Sequence, residues 1–298
     1  MTIASANAHA KINLYLHVTG RRTDGYHLLD SFAVFANAAD TLTLEREAAQ
    51  TSLNITGPFG QKLEADENNL VLKAVKSLQI QHQIDKHFDL TLIKNLPIAS
   101  GIGGGSADAA CILRLLAKQW DIPEPDILAI AAQLGADVPV CVQQEPARME
   151  GIGEILSPTP PPPSGGILLI NPGVAVSTPD VFRRLSSMTS LTHHATPQFP
   201  VKWSSMIDLK NWLLTTSNDL QEPAIQILPL INDVLQAIAQ QENCLLARMS
   251  GSGATCFGLF PTAVEAQKAA EALSITATRL NWWTWAGDFF QNSVPPAE

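Results

Sequence analysis

Between Leu96 and Ala110 the chain reads LPIASGIGGGSADAA, and Gly101, Gly103, Gly104 and Gly105 fall where a strand-like stretch gives way to helical spacing. Glycine permits left-handed backbone angles and close approach to a ligand, and free amides at a helix start present positive potential to an anion. The segment therefore reads as a phosphate loop, the alternative being an irregular turn. Three commoner motifs do not fit. A Walker A loop needs Lys where Ser106 stands, and a dinucleotide fingerprint needs a third Gly at 106 with a later acid ending a second strand. The run Ser250-Gly251-Ser252-Gly253 approaches a hydrolase nucleophile elbow but has Ser250 where that motif requires Gly. It is left as a second glycine-serine loop or a plain strand-to-strand turn.

The Ser106 hydroxyl could contact a bound phosphate. Asp137 lies just past a helix stop, between Ala136 and Val138, where a carboxylate could be held rigidly as a general base. A solvated helix-terminal Asp would look the same. Lys11, beside Asn13, could lower the pKa of a substrate hydroxyl or steady Asp137; otherwise it is a surface lysine. Asp108 suits a helix first turn but would repel a triphosphate, so it is expected to point away and is given no catalytic role. Tyr26-His27, taken alone, reads as a half-buried turn pair.

The elements that must hold these groups are legible in part. Ala10, Ile12, Leu14, Leu16 and Val18 alternate with His9, Lys11, Asn13, Tyr15 and His17, which predicts a strand over 8–18 with one polar face. Further strands are expected at 31–37, 41–45, 53–56 and 88–93, with a helix over 68–81. Ser106 is expected to cap a helix whose stripe is Ala109, Ile112, Leu113 and Leu116, and a second helix runs over 125–134 to a stop at Gly135. The proline run 158–163 marks a junction between an N-terminal domain, 1–157, and a C-terminal domain, 164–298. Beyond it, strands are expected at 167–170, 244–249, 255–260 and 283–287, and helices near Pro179, Pro229 and Val264. The stretch 186–203, with His193-His194 in a polar, Thr-rich part, has weak periodicity. It reads as a long surface loop or a flexible insertion over the substrate site.

A chain of 298 residues, 46% hydrophobic and 16% charged, can bury two cores. Its formal charge of −9 argues against nucleic acid or an anionic membrane as partner, and obliges any anionic substrate to find local donors. With neither a signal-like N-terminus nor a membrane-length apolar run, the expected location is cytoplasmic. Cys111, Cys141, Cys244 and Cys256 form no CxxC pair and are read as free thiols; no zinc site is indicated.

Taken together the segments resemble the GHMP kinases. Ala10 to Leu14 resembles their first motif, Pro97 to Ala110 the glycine-rich second, and Met249 to Thr255 the third, in the same order. Asp24-Gly25-Tyr26-His27, Gly135-Ala136-Asp137-Val138-Pro139 and Gly151-Ile152-Gly153-Glu154 resemble the diphosphocytidyl-methylerythritol kinase branch. The resemblance implies an α+β fold of two domains, an N-terminal ATP-binding domain and a C-terminal α/β sandwich domain. It implies ATP-dependent phosphorylation of the 2-hydroxyl of a cytidine diphosphate conjugate, with Lys11 and Asp137 catalytic. Pro97, Gly101, Gly103, Gly104, Gly105, Ser106 and Ser250, Gly251, Ser252, Gly253 would bind Mg-ATP. Asn13 and Thr178 would hold the substrate, Tyr26 and Phe182 would cover the two faces of cytosine, and His27 would bond its polar edge. Ala99-Ser100 departs from the Gly-Ala usual before Gly101, and Ala107 from a second Ser. The implied alternatives are a homoserine or mevalonate type kinase and a non-catalytic nucleotide-binding relative. A monomer or weak homodimer is expected, and Asn68 and Lys94 are loose candidates for the adenine pocket.

Overall fold

A computed structural model describes residues 2–188 and 195–292. It divides into two compact units: Met1–Ala10, Ala39–Ile98 and Gly103–Gln143 in the first, Lys11–Ala38, Ala99–Ile102 and Gln144–Glu298 in the second. The strands β1 (Ala4–Arg21) and β2 (His27–Ala48) pair with each other, and each contributes residues to both units.

In the first unit, β4 (His87–Ile93) lies between the C-terminal half of β2, antiparallel to it, and β3 (Ser52–Thr56), parallel to it. Four helices accompany this sheet: α1 (Leu70–His82), α2 (Gly104–Trp120), α3 (Glu124–Leu134) and α4 (Val138–Gln143). α1 starts because Asn69 accepts the Val71 amide, and α3 stops at Gly135. α2 is buried almost all round between Ala107 and Ala117, so it is a central helix rather than one with a single apolar stripe. The expectation that Ser106 caps α2 is corrected. The helix begins three residues earlier, because Gly103 takes a left-handed conformation (φ 65°) as its N-cap, and Ser106 lies in the first turn.

In the second unit, β10 (Trp283–Asp288), β7 (Gly166–Asn171), β9 (Cys256–Phe260) and β8 (Leu246–Met249) form an antiparallel sheet in that order. α8 (Leu230–Ala239) and α9 (Ala263–Leu280) pack on it, with Val234, Ile238, Ala266 and Leu273 in one apolar cluster with Leu168 and Ile170. The N-terminal half of β2 carries the hairpin of β5 (Ala147–Gly151) and β6 (Ile155–Pro158). α5 (Thr178–Ser187), α6 (Met206–Leu213) and α7 (Gln221–Ile227) complete the unit. Ser177 caps α5 by accepting the Asp180 amide, which fixes the start of the helix that carries Thr178 and Phe182.

Three differences from the sequence reading have physical causes. The polar face of β1 does not meet water: His9, Lys11, Asn13 and His17 are all buried. For His17 the compensation is its Nε2, which accepts the Ser217 amide at 3.1 Å. The two strands expected over 31–45 are one 22-residue strand, because Asp40 keeps the alternation and has its carboxylate fully engaged inside the unit. β5, β6, α4, α6 and α7 carry short or mixed patterns that gave no clear period. His193-His194 lie outside the described residues. Residues 195–203 are held by rings: Phe199 meets Trp212 at 4.8 Å and Phe32 at 5.1 Å between centroids. All four cysteines are free; Cys111, Cys141 and Cys256 are buried and Cys244 half-buried. Among the described residues no helix is long and apolar enough to cross a membrane.

A buried guanidinium without a carboxylate ties β8 to β1. Arg248 donates to the carbonyls of Leu14 (2.8 Å), Leu213 (2.9 Å) and Thr216 (2.8 Å), and to the Thr216 hydroxyl (3.1 Å). Burial pulls it down to about 10, so it stays charged near neutrality. A lysine has no planar fork to reach these acceptors. Each buried carbonyl left unpaired costs about 1–3 kcal/mol, so Arg248→Lys is expected to lower Tm by roughly 5 °C or more. A shift under about 1 °C in a thermal melt would show that the network is replaceable.

Candidate active site

The motifs of the second unit converge through hydrogen bonds. The Lys11 amide donates to the Ile102 carbonyl at 3.0 Å. The Asn13 amide donates to the Ser250 hydroxyl at 3.1 Å, and that hydroxyl donates to the Gly101 carbonyl at 3.0 Å. Gly101 (φ 75°) could not be another residue: a Cβ there would stand 2.7 Å from the Gly253 nitrogen and 2.8 Å from its oxygen. The first half of the glycine segment thus packs directly on the 250–253 loop, which is more than a plain turn. Ser252 continues the contact, its hydroxyl 2.6 Å from that of Thr178. Asn13 donates its amide group to the Ser31 hydroxyl at 2.7 Å, while its side-chain oxygen is buried with no hydrogen-bond partner.

Thr178 opens onto a cleft of about 670 Å³ lined by Arg21, Asp24, Tyr26, His27, Phe182 and Arg183 among others. The His27 and Phe182 rings stack at 4.7 Å with 18° between planes. Ser186 donates its one hydroxyl proton to the Phe182 carbonyl at 3.0 Å and so accepts from His27 Nε2 at 3.2 Å, which leaves Nδ1 as an acceptor. Burial, and then the Arg21 charge, hold His27 below its usual range, so it works as a neutral imidazole at neutral pH. Tyr26 is 61% exposed, the ring most open to the cleft.

The first unit holds Gly103, Gly104, Gly105, Ser106 and Asp137. The amides of Gly104 to Ser106 form the first turn of α2, which no side chain caps. Beneath them lies a group that sequence reasoning missed. The Lys94 ammonium is 2% exposed and bonds Asp40 Oδ2 and, at 2.6 Å, Asp108 Oδ2. Burial pulls the Lys94 pKa down, but the two carboxylates together outweigh it and hold the ammonium above its usual range. Burial, opposed by Lys94 and assisted by Asp40, pushes Asp108 up to about 7. Asp108 turns to Lys94. Lys94 is committed to these carboxylates, and Asn68 sits exposed on an Asp66 turn. The sequence signal was present: an acid within the apolar alternation of β2 and a lysine ending that of β4. Asp137 is half-buried and precedes α4, its carbonyl accepting the Cys141 amide at 3.3 Å. Lys11, 4% exposed in the second unit, is no surface lysine.

Comparison with known proteins places this arrangement. The GHMP kinases N terminal domain matches residues 69–145 and the GHMP kinases C terminal domain residues 204–278. A 4-diphosphocytidyl-2-C-methyl-D-erythritol kinase of Gluconacetobacter diazotrophicus is 48% identical over 292 residues, covering 94% of this chain and 93% of the relative. One from Cereibacter sphaeroides is 48% identical over 285 residues, 94% of this chain and 97% of the relative. A crystal structure of 4-(cytidine 5'-diphospho)-2C-methyl-D-erythritol kinase superposes with a TM-score of 0.75 at 30% identity, over 97% of this chain and all of that one (100%). Homoserine kinase from Cytophaga hutchinsonii, at 18% identity and a TM-score of 0.69 over 97% of this chain and 94% of its own, shares the fold. Since relatives of that name are 48% identical over nearly its whole length and both domain models match, the chain belongs to the 4-diphosphocytidyl-2-C-methyl-D-erythritol kinases of the GHMP kinase family.

Proposed function

We propose that the chain transfers the γ-phosphoryl group of ATP to the 2-hydroxyl of 4-diphosphocytidyl-2-C-methyl-D-erythritol, giving the 2-phosphate and ADP in isoprenoid precursor synthesis. The observation that carries this reading is the unbroken run of contacts in the second unit. It leads from Lys11 and Asn13 through Ser250 and Gly101 to Ser252, Thr178 and the His27–Phe182 cleft. A glycine loop alone would serve any nucleotide, whereas an aromatic cleft joined to it by hydroxyls suits a base-bearing second substrate.

The roles follow from chemistry. Asp137 removes the proton of the 2-hydroxyl as its oxygen attacks the γ-phosphorus and ADP departs. Lys11 favours the developing alkoxide. The unpartnered side-chain oxygen of Asn13 and the Thr178 hydroxyl receive the polyol. Tyr26 and Phe182 take the two faces of cytosine, and neutral His27 its polar edge. Gly103 to Ser106 cradle the triphosphate through backbone amides, with Pro97 setting the loop's entry and Ser250 to Gly253 closing on Gly101. Among the described residues no group of three His, Cys, Asp or Glu side chains is arranged to hold a metal. A magnesium ion arriving with ATP would neutralise its phosphates, and the Ser106 hydroxyl would be its protein contact.

Asp137→Asn is expected to lower kcat about 100-fold or more with ATP affinity nearly unchanged. A folded variant with near-normal kcat would make Asp137 structural. At Gly104 a Cβ would already stand 3.1 Å from Lys94 Nζ, so Gly104→Val should crowd the buried ammonium and the phosphate cradle together. Calorimetry should show weaker ATP binding; unchanged affinity would move the nucleotide site. Substrate identity is tested by a kcat/KM panel: the cytidine diphosphate conjugate, its uridine counterpart, free methylerythritol phosphate, homoserine and mevalonate. The first should lead clearly, and Tyr26→Ala should weaken its binding severalfold, a stack being worth about 1 kcal/mol. Preference for homoserine or mevalonate, or indifference to the base, would overturn the substrate assignment and leave a GHMP kinase.

A further inference from the structure

A chain of net charge −9 must supply positive charge locally wherever it receives an anion. For the triphosphate the free amides that open α2 do this. The cytidine conjugate brings a second anion, its diphosphate, and the cleft has its own cations to meet it. Three arginines lie in or beside the cleft. Arg22 is paired with Asp24 at 2.7 Å, and Arg183 with Asp180 at 2.6 Å. Arg21 lines the cleft and forms no ion pair among the described residues.

Arg21 is nevertheless held in place. Its Nε donates to the Gly25 carbonyl at 3.3 Å, which orients the guanidinium along the cleft wall and leaves the two terminal nitrogens for a ligand. Gly25 itself has a positive φ of 96°, so the tight turn that presents this carbonyl favours glycine. The acid nearest the turn, Asp24, does not cancel the charge. It is spent on Arg22 and on the Tyr26 amide, which it accepts at 3.2 Å. Arg21 also acts at a distance on the base-recognition group, since its charge helps to keep His27 neutral.

We propose that Arg21 is a specificity-determining residue that binds the diphosphate of the substrate, so that the cleft selects a nucleoside diphosphate over the bare nucleoside. This rests on the reading of the cleft as a cytidine site. A planar guanidinium with both terminal nitrogens open matches adjacent phosphate oxygens in a forked, charge-assisted pair. Its position at an exposed rim also means that the contact weakens as salt rises.

The test is calorimetric titration of CDP and of cytidine, each with a non-hydrolysable ATP analogue saturating the glycine loop, on the wild type, Arg21→Gln and Arg21→Lys. CDP should bind the wild type more tightly than cytidine. Arg21→Gln should lose roughly tenfold in CDP affinity, the worth of one hydrogen bond to a charged group, with cytidine affinity unchanged. Arg21→Lys should recover part of the loss. In turnover, Arg21→Gln should raise KM for the conjugate while leaving kcat and the KM for ATP unaltered. Equal CDP affinity in wild type and Arg21→Gln, while cytidine still binds, would overturn the role of Arg21 alone. Failure of both CDP and cytidine to bind the wild type would overturn the cytidine reading and this inference with it.

Discussion

The hydrogen-bonded ion cluster of Asp40, Lys94 and Asp108 is the constraint on which the glycine segment depends. Asp40 Oδ1 accepts the amides of Asn95 at 2.6 Å and Leu96 at 2.8 Å, and its other oxygen takes the Lys94 ammonium. The same ammonium reaches Asp108 at 2.6 Å, in the second turn of α2. The point where the chain leaves β4 and the start of the helix that follows the loop are therefore clamped to one buried charge. Such a cluster is expensive to bury, and burial with a neighbouring acid explains why the Asp108 carboxyl is pushed up to about 7. Its geometric effect is to tie the residues just past β4 and the second turn of α2 to the same ammonium.

The 250–253 loop shows the complementary device, rigidity through small groups. One hydroxyl, on Ser250, both receives the Asn13 amide and donates to Gly101. Asn218 then holds the carbonyls of Met249 and Gly251 at 2.8 Å each. No long side chain is needed because the backbones themselves come close, which glycine at 101 and 251 allows. Asp108 and Ser250 thus secure different stretches of the glycine segment, one by charge and one by contact.

Much of this was legible in the sequence because it depends on local rules. Gly135 and the alternation of β4 announce an element end and a period directly. The glycine segment stood out by residue type and spacing, whereas Asp137 and Tyr26-His27 drew their functional reading from the resemblance to a family. What was hidden depends on non-local pairing. Lys11 and Asn13 looked solvated because their polar face is covered by segments more than two hundred residues away, as the Asn13–Ser250 bond illustrates. Lys94 looked like an available ligand group because nothing near it in sequence shows two acids meeting it. Ser106 looked like a cap because the rule for caps favours hydroxyls, and a left-handed glycine took the position first.

The four thiols carry a last consequence. Burial pushes Cys111 up to about 12 and Cys244 to about 11, and raises Cys256 as well, while Cys141 lies inside α4. Reactivity belongs to the thiolate, so Cys111, Cys244 and Cys256 are not poised to meet an oxidant or a soft electrophile at neutral pH, and Cys141 is buried. A covalent warhead would find no cysteine to capture in the folded chain. Selective blockade would have to be won from the shape and polarity of the cleft beside Tyr26, by reversible ligands.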